Sequence, residues 1–554
     1  MKMRSDTVKK GIERTPHRAL FKAAGLRDED LKKPLIAIAN SWNEIVPGHL
    51  HLRSIADAVK DGVRSAGGTP LEFNTIAVCD GIAMSHEGMR YSLPSRELIA
   101  DSIELMIQAH CFDAMVCVGS CDKIVPGMLM ATCRLNIPTI FVTGGAMLPG
   151  CYKGQSINTS ELFEKVAAVK AGELSIEELK EMEDVTCPGP GSCAGLYTAN
   201  TMSCLTEALG MSLPGCGTAL AVYSEKLRIA KASGKQIIFL LKNRLTPSKI
   251  INKKSIENAI RVDMSLGGST NTVLHFLAIA REANLDLPLE TFDMLSRTTP
   301  HLCDLFPAGR YYVKDLHEAG GVPAVMKELA SLLNLNCLTV SGKTIKEIIS
   351  GAQAIRRDVI RPLNDPIHKE GGIAILKGNL APEGSVVKSA AVDPTMVRHE
   401  GPAKVFEREE SAIKAIFEGR IVEGDVVVIR YEGPKGGPGM REMLGATAAI
   451  VGRGLGSSVA LVTDGRFSGG SRGPCIGHVS PEAAEGGPIA IIRNGDIVQI
   501  DIPNRTLNVK LSDAEIKERL NKWRLQVKPK VTKGCLYRYI KEVESASKGA
   551  VTAT

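Results

Sequence analysis

The sequence predicts an α/β protein in which an N-terminal domain with a parallel sheet is followed by a C-terminal β-barrel-like domain. In the first third, short apolar runs alternate with helical patterns, which is typical of a covered parallel sheet. Between residues 342 and 379, glycines, prolines and an arginine pair interrupt the periodicity. Short β-rich runs separated by Gly, Pro, Asn and Asp follow. We therefore predict one domain over residues 1–355 and another over residues 370–554.

The predicted N-terminal sheet has four short strands whose continuous apolar character is typical of buried parallel strands. They cover residues 34–39, 73–78, 114–118 and 139–142. Between them, residues 95–110 place apolar side chains at helical spacing on one face. Ligands of such sheets bind beyond the carboxyl ends of the strands, so that edge is the expected site.

The middle of the chain, from about residue 160 to 335, is predicted to be mostly helical. The strongest patterns cover residues 192–210, 255–283 and 322–335. In the second domain, the β-rich runs are residues 425–431, 458–463, 489–493 and 497–502, a spacing typical of a barrel or a sandwich. Ser512 and Glu515 have the spacing of a capping box that opens a last helix, through about residue 525.

Composition restricts the class of protein. A chain of 554 residues is too long for a single core, and 44% hydrophobic with 23% charged residues is typical of a soluble globular protein. Residues 1–11 lack an apolar signal core, and the apolar runs are too short to cross a membrane. Fourteen cysteines without a secretion signal favour reduced thiols in the cytoplasm. The net charge of +7 is diffuse, which argues against nucleic-acid binding.

Two Cys-Asp pairs are the most informative local feature. Cys79-Asp80 and Cys121-Asp122 each follow a predicted strand, and Lys123 comes directly after the second pair. Thiolates select iron–sulfur clusters, zinc or copper, whereas carboxylates select magnesium, calcium or manganese. The repeated pair indicates one site that holds both a cluster and a divalent cation. The alternative is a set of buried cysteines beside turn-forming aspartates.

A Gly/Pro-rich loop from Cys187 to Cys193 precedes a predicted helix. A cysteine near a helix N-terminus has a lowered thiol pKa, which favours the thiolate that metals require. The spacing of the two cysteines matches no common zinc site. A structural turn with incidental thiols explains this loop equally well.

Several segments, in order along almost the whole chain, resemble the dihydroxy-acid dehydratase family. They are Ser41-Trp-Asn-Glu-Ile-Val-Pro-Gly-His-Leu-His-Leu52, Cys79-Asp-Gly-Ile-Ala-Met84, Tyr91-Ser-Leu-Pro-Ser-Arg-Glu97, Cys121-Asp-Lys-Ile-Val-Pro-Gly127, Gly191-Ser-Cys-Ala-Gly-Leu-Tyr-Thr-Ala-Asn-Thr-Met202, Gly433-Pro-Lys-Gly-Gly-Pro-Gly-Met440 and Asp464-Gly-Arg-Phe-Ser-Gly-Gly470. The resemblance implies a hydro-lyase that converts 2,3-dihydroxy-3-methylbutanoate and its 3-methylpentanoate analogue to 2-oxo acids in valine and isoleucine biosynthesis. It also implies an iron–sulfur cluster, Mg²⁺, an α/β domain with a β-barrel domain, and a homodimer.

Carried over residue by residue, the resemblance implies that Cys121 and Cys193 are cluster ligands. It implies that the Mg²⁺ ligands are Asp80, Asp122, Glu442 and Lys123 as N6-carboxylysine. An ammonium group has no lone pair and repels a metal ion, whereas a carbamate supplies hard oxygens. Without the modification, Lys123 would neutralise Asp122. Glu442 lies just past a Gly/Pro-rich loop, and its alternative role is that of a surface carboxylate.

The third cluster thiolate is where this chain departs from the family pattern. Many family members have a cysteine at the position of Gly48. Cys79 is the first candidate to replace it, because it ends a neighbouring predicted strand, and Cys187 and Cys204 come next. The change leaves both a [2Fe–2S] and a [4Fe–4S] cluster open.

The resemblance assigns the general base to Ser468, which by itself reads as a turn serine before two glycines. An alcohol is a poor base unless it is ionised, so Ser468 requires a nearby positive charge. Since Glu442 and Ser468 belong to the second domain and the other ligands to the first, the active site is expected between the domains.

Weaker signals remain. Residues 267–271, Gly-Gly-Ser-Thr-Asn, fit a plain helix start better than a site for the substrate carboxylate. His49 and His51 fit structural roles better than a metal pair. His86 and His478 lie in predicted polar, glycine-containing loops, and an approach to the substrate is the weaker of their two interpretations.

Two alternative functions remain open. A sugar-acid dehydratase of the same superfamily would share the chemistry with a longer polyol. A non-catalytic iron–sulfur redox protein would leave Asp80, Asp122, Glu442 and Ser468 without a common purpose.

Overall fold

A computed structural model describes residues 2–170, 172–524 and 531–552. It has a parallel-sheet α/β region followed by a nearly closed β-barrel-like sheet, which confirms the predicted fold class. The N-terminal sheet has four parallel strands in the order β2-β1-β3-β4. These are β1 (Leu35–Asn40), β2 (Thr69–Asn74), β3 (Ala114–Gly119) and β4 (Thr139–Thr143).

The two central strands of this sheet, β1 and β3, agree closely with their predicted bounds and burial. Every residue of β1 and β3 is buried, as a sheet covered on both faces requires. The bounds of the strand predicted at residues 73–78 are wrong, because the strand that pairs with β1 runs from Thr69 to Asn74. It is an edge strand with alternating burial, so its sequence lacks the continuous apolar run of a central strand. Residues 75–79 form an irregular connection to Asp80.

Helices pack around this sheet and extend the N-terminal body, with α4 and α11 packed together and α6 against α7. A small hairpin, β5 (Gly150–Tyr152) and β6 (Gln155–Ile157), follows β4. The helices are α1 (Asp6–Lys9), α2 (Thr15–Ala23), α3 (Asp28–Leu31), α4 (Leu52–Ser65), α5 (Asp80–Ala83), α6 (Ser92–Ala109), α7 (Ile124–Leu135), α8 (Thr159–Lys170), α9 (Ile176–Thr186), α10 (Thr198–Ala208), α11 (Ser224–Lys242), α12 (Pro247–Ile250), α13 (Lys253–Leu266), α14 (Asn271–Glu282), α15 (Leu289–Arg297), α16 (Val313–Glu318), α17 (Gly321–Glu328) and α18 (Ile345–Ile349).

The predicted long helix at residues 255–283 is two helices in the structure. Gly267 has φ +66°, the left-handed conformation that ends α13, and α14 begins at Asn271. The helix predicted from residue 192 begins only at Thr198, because the side chain of Asn200 holds the preceding loop by donating to the carbonyls of Cys193 and Gly195.

The second sheet contains eight strands in the order β16-β15-β9-β10-β12-β14-β8-β7. A backbone bridge between Lys377 and Thr506 joins its two ends and nearly closes the barrel. A separate two-stranded pair, β11 with β13, lies beside it. The elements are β7 (Ala374–Leu376), β8 (Gly384–Val387), β9 (Arg398–Phe406), α19 (Glu409–Phe417), β10 (Val426–Ile429), β11 (Glu442–Met443), α20 (Gly445–Gly452), β12 (Ala460–Thr463), β13 (Arg466–Phe467), β14 (Cys475–Ser480), β15 (Ile497–Asp501), β16 (Thr506–Val509), α21 (Asp513–Lys522) and α22 (Cys535–Glu542).

Two local predictions for this region have different outcomes. Residues 489–493 are not a strand: Pro488–Ile491 form a 3₁₀ turn that begins with proline at its first position. Ser512 caps α21 as predicted, with its Oγ accepting from the N–H of Glu515. The helix ends at Lys522, and the predicted end at residue 525 lies outside the described residues.

The segment between the sheets packs on the N-terminal body. Backbone bridges join Ile360 to Cys303 and His368 to His301. The domain boundary between residues 355 and 370 stays a prediction. In the described part of the chain, we find no helix that combines the length and the apolar character needed to span a bilayer.

Candidate active site

Three buried carboxylates from distant parts of the chain meet at one point. Asp80 begins α5, Asp122 lies in the turn after β3, and Glu442 begins β11. One carboxylate oxygen from each lies within 4.8 Å of the others. The structure thus brings together the acidic residues that the sequence divides between the two predicted domains.

Lys123 lies among these carboxylates and is fully buried. Its Nζ is 2.8 Å from Asp80 Oδ2 and 3.6 Å from Glu442 Oε2, and it contacts Asp122 Oδ1 directly. Burial and the nearby Arg466 favour the neutral amine, but the three carboxylates outweigh them and raise the pKa of Lys123. The unmodified side chain is therefore an ammonium at the centre of the acidic cluster.

Two side chains donate hydrogen bonds to the Glu442 carboxylate. Pairing of β11 with β13 puts Arg466 opposite Glu442, and Arg466 Nη1 donates to Glu442 Oε2 over 2.8 Å. Asn271, at the start of α14, donates to the same oxygen over 2.8 Å. Burial and the adjacent Asp122 carboxylate raise the pKa of Glu442 above its ordinary value. Glu442 is therefore fixed in place by neutral and cationic donors.

Ser468 directly follows β13 and is partly exposed. Its backbone N–H donates to the carbonyl of Met443 over 3.0 Å, and the N–H of Gly470 donates to Ser468 Oγ over 3.3 Å. A Cβ at Gly469 would lie 2.9 Å from the backbone nitrogen of Thr198, so the loop packs closely on the start of α10. Thr198 accepts a hydrogen bond from Asn271, which connects the serine loop to the Glu442 frame.

The thiols of Cys79, Cys121 and Cys193 are near enough to influence one another's ionisation. The backbone N–H of Cys121 donates to His49 Nε2, which fixes the turn after β3. Although Cys193 keeps an exposed surface, desolvation of its thiol by the surrounding protein, followed by the neighbouring thiols and carboxylates, raises the pKa of Cys193, and the same causes raise the pKa of the partly buried Cys121. The predicted lowering at Cys193 is therefore wrong, because α10 begins only at Thr198 and desolvation by the surrounding protein dominates.

Gly48 lies against the Cys121 sulfur. A Cβ built at Gly48 would lie 2.7 Å from Cys121 Sγ, so a side chain at position 48 would displace that thiol from its present place. Of the other candidates for a third thiolate, Cys187 is exposed and influences both Cys79 and Cys193. Cys204 is buried within α10 and contacts the carbonyl of Gly217. The structure thus groups Cys79 with Cys121 and Cys193, leaves Cys187 beside them, and places Cys204 in the helical core.

The two sets of side chains suit different metal groups. Carboxylate oxygens are preferred by Mg²⁺ and other hard cations, and the three acids fit one such ion. The three thiols are soft ligands, and within the described residues they do not all lie within the 4.8 Å that groups the acids. Their spacing is wider than that of ligands around one ion, and the Cys121 sulfur occupies the space that a side chain at Gly48 would need.

Comparison with known proteins gives a family for both halves of the chain. The model for the dihydroxy-acid/6-phosphogluconate dehydratase N-terminal region matches residues 33–348, and the model for the C-terminal region matches residues 358–550. The chain belongs to the dihydroxy-acid/6-phosphogluconate dehydratase family.

Members of this dehydratase family match the chain from end to end. A protein of Caldanaerobacter subterraneus subsp. tengcongensis is 61% identical over 551 residues, which cover 99% of both chains. Proteins of Methanothermobacter thermautotrophicus and Pyrococcus furiosus are each 58% identical over 551 residues, covering 99% of this chain and 100% of theirs. All three are named dihydroxy-acid dehydratase.

Some residues of this dehydratase site were missed by sequence reasoning. Arg466 lies two residues before Ser468, and strand alternation was a signal that both lie on one face. His275 is fully buried with its Nε2 3.9 Å from Asp122 Oδ1. Lys388 is buried and donates to the carbonyl of Gly469 over 3.3 Å. No local pattern distinguished His275 or Lys388, since their partners are distant in sequence.

The other histidines have local contacts. His49 Nδ1 bonds the carbonyl of Ser41, and His51 bonds the carbonyl of Gly144, as expected of structural residues. His86 bonds the carbonyl of Ile82 and the N–H of Gly88 in its own loop. His478 lies buried in β14 rather than in a loop.

Proposed function

We propose that the chain is a dihydroxy-acid dehydratase. It dehydrates 2,3-dihydroxy-3-methylbutanoate and the 3-methylpentanoate analogue to the corresponding 2-oxo acids in valine and isoleucine biosynthesis. Relatives with this name match it over their full length at 58–61% identity. Loss of the C2 proton and the C3 hydroxyl gives an enol, which takes a proton at C3 and becomes the 2-oxo acid.

The observation that carries the proposal is the buried meeting of Asp80, Asp122 and Glu442 around Lys123, beside a group of thiols. Burial of several charges is costly unless they are paired or bind a metal. A hard-cation site next to a soft-ligand site suits a reaction that holds a carboxylate and removes a hydroxyl.

Asp80, Asp122, Glu442 and carboxylated Lys123 would hold Mg²⁺, and Cys121, Cys193 and Cys79 would hold the iron–sulfur cluster. When bound, the two groups supply Lewis-acid assistance to departure of the C3 hydroxyl and positive charge near the substrate carboxylate and C2 oxygen. We propose a [2Fe–2S] cluster, with [4Fe–4S] as the alternative.

Carboxylation of Lys123 together with binding of a divalent cation leaves the net charge of the cluster unchanged. Three ionised carboxylates with the ammonium of Lys123 and the guanidinium of Arg466 leave a net charge of −1. Four anionic groups with Arg466 and a divalent cation leave the same charge. Carbamate formation requires the neutral amine, and the carboxylates raise the pKa of Lys123. We infer that the cation must first draw the carboxylates away from the amine.

Ser468 is proposed as the base that takes the C2 proton. Its Oγ already accepts a hydrogen bond from the N–H of Gly470. This hydrogen bond becomes stronger when the oxygen carries negative charge. Backbone contacts to Met443 and close packing on Thr198 fix the loop. Lys388 also fixes the loop, because its Nζ donates a hydrogen bond to the carbonyl of Gly469.

Anaerobic purification, a visible spectrum and an assay for the 2-oxo acid test the proposal. We expect turnover of 2,3-dihydroxy-3-methylbutanoate that needs both the cluster and Mg²⁺. Preferred turnover of a C6 sugar acid would move the assignment to the sugar-acid branch of the superfamily. A reversible cluster spectrum without turnover of either substrate would favour a redox protein.

A homodimer in the cytoplasm is proposed as well, on the family resemblance and on the reduced cysteines expected of the sequence. Light scattering after size-exclusion chromatography tests the homodimer: a mass near 59.3 kDa, that of one chain, would contradict it.

A further inference from the structure

His275 is a fully buried histidine on α14 that faces the acidic cluster. Its Nε2 lies 3.9 Å from Asp122 Oδ1 and has no hydrogen-bond partner among the described residues. A buried donor without a partner costs roughly 1–3 kcal/mol. The orientation of this ring therefore fits a state of the site in which the donor is used.

The other ring nitrogen determines where the proton lies. Arg96 Nη1 is 3.4 Å from His275 Nδ1. A guanidinium only donates, so Nδ1 accepts and the proton of the neutral ring is on Nε2, directed at Asp122.

Arg96 is itself fixed. Its Nη2 donates to Glu97 Oε1 over 2.7 Å, and to the carbonyls of Gly549 and Ala550 over 3.0 and 2.9 Å. Arg96 is fully buried. The C-terminal segment thus holds Arg96, and Arg96 holds the ring of His275.

We propose that His275 is a positioning residue for the divalent-cation site, in which its Nε2–H donates to one oxygen of Asp122 while the other oxygen binds the cation. This rests on the proposed Mg²⁺ ligands. A hydrogen bond of about 2.9 Å requires the two groups to approach by about 1 Å. Lys123 now contacts the same Asp122 oxygen, and its withdrawal as a metal ligand frees that oxygen for His275.

A neutral donor suits this role better than a cation. A lysine or arginine at this position would cancel the charge that Asp122 offers to the metal. A neutral imidazole fixes the carboxylate and leaves its charge available, as hydrogen-bonded outer partners of metal ligands do.

Two variants separate the donor from the packing. In His275→Gln, the amide nitrogen can reach the position of Nε2. In His275→Asn, the amide is placed near Nδ1, where it keeps an acceptor for Arg96 but cannot reach Asp122. His301→Asn is the control, because His301 is also buried with an unpartnered Nε2 but pairs with His368 instead.

Mn²⁺ binding to the full-length, anaerobically purified protein, measured by EPR of the free ion in bicarbonate buffer, tests the proposal. We expect His275→Asn to weaken binding 10- to 100-fold, as outer-partner losses do. His275→Gln should stay within about threefold of wild type, and His301→Asn should not change binding. The Mg²⁺ concentration for half-maximal turnover should rise in parallel for His275→Asn, with turnover at saturation largely kept.

Asp122→Asn separates the role of His275 from the existence of the metal site. If it abolishes Mn²⁺ binding while His275→Asn binds like wild type, the role of His275 is overturned and the metal site stands. If Asp122→Asn also binds like wild type, the proposed cation site itself is overturned. Equal losses in His275→Asn and His275→Gln would assign His275 to packing alone and overturn the positioning role.

Discussion

The two halves of the site are held together in different ways. The sheet-edge half consists of Cys79, Asp80, Cys121, Asp122, Lys123 and Cys193, and the barrel half consists of Glu442, Arg466 and Ser468. In the sheet-edge half, desolvation by the surrounding protein raises the pKa of the Cys121 and Cys193 thiols, although Cys193 keeps an exposed surface, and Lys123 is the cation in contact with Asp80 and Asp122. In the barrel half, Glu442 has Arg466 and Asn271 as close partners, and the backbone anchors Ser468.

This difference indicates a division of roles. Thiols with a raised pKa become good ligands only when a metal group replaces their protons. The proposed cofactors would thus complete the sheet-edge half. The barrel half keeps its geometry through partners within the protein, so it would present the proposed base and one carboxylate to the first half.

The largest effect should come from the thiols. Cys121→Ser and Cys193→Ser should each abolish the cluster absorbance and turnover, because a hard oxygen poorly replaces thiolate at iron. Visible spectra after anaerobic reconstitution measure this. A full spectrum from either variant would remove that residue from the ligand set.

The third thiolate is tested in the same way. We expect Cys79→Ser to weaken the cluster absorbance, with Cys187→Ser and Cys204→Ser as matched controls. Loss of colour in Cys187→Ser together with a normal Cys79→Ser would exchange their roles, which the nearness of Cys187 to Cys193 allows.

Ser468→Ala should leave both metal groups and the fold intact but lower turnover by at least about a hundredfold, as loss of a positioned base does. Substrate affinity should change little, because the carboxylate is held at the cation site. Exchange of the C2 hydrogen with solvent, followed by NMR, should stop. More than a tenth of wild-type turnover with a full cluster would mean that another group takes the proton.

Arg466→Met tests whether the barrel half depends on its internal pair. Glu442 would lose its guanidinium while buried beside Asp122, which should cost roughly 3 kcal/mol in the free energy of unfolding. Denaturant unfolding without added metal measures this. The double variant with Glu442→Gln should recover part of the loss, whereas an additive further loss would show that the pair is not what stabilises this region.

The smallest effect concerns His478, buried in β14 near Arg466. Burial, followed by the charge of Arg466, lowers the pKa of His478 to about 3. Since the unfolded value is near 6.5, the unfolded chain binds more protons below pH 6.5, and stability falls as the pH decreases. His478→Asn tolerates the local φ of +59° and removes this titration.

Between pH 7.5 and 5, wild type should lose about 2 kcal/mol more stability than His478→Asn. Denaturant unfolding at both pH values measures the difference, and the other buried histidines serve as an internal control because both proteins contain them. Parallel losses would mean that His478 is protonated in the folded state.

Local features were predicted well wherever one stretch of chain decides the outcome. The continuous apolar runs of β1, β3 and β4 identified three of the four strands, and Cys121-Asp122-Lys123 follows β3 as expected. The bounds of β2 were predicted wrongly because they depend on pairing with β1. The run at residues 255–283 was predicted as one long helix, but the helix start predicted at residues 267–271 is confirmed, because α13 ends at Gly267 and α14 begins at Asn271.

The sequence by itself determined the fold class and offered the soft and hard ligand types, and the family resemblance supplied the residues proposed for the site. Only the tertiary structure decided that Asp80, Asp122 and Glu442 meet around Lys123, that Arg466 and Asn271 hold Glu442, and that His275 faces Asp122. Ligand type is a property of one side chain, and strands and helices follow from neighbouring residues. Burial, pKa and contact between residues far apart in the chain depend on how the two sheets pack, which no local pattern contains.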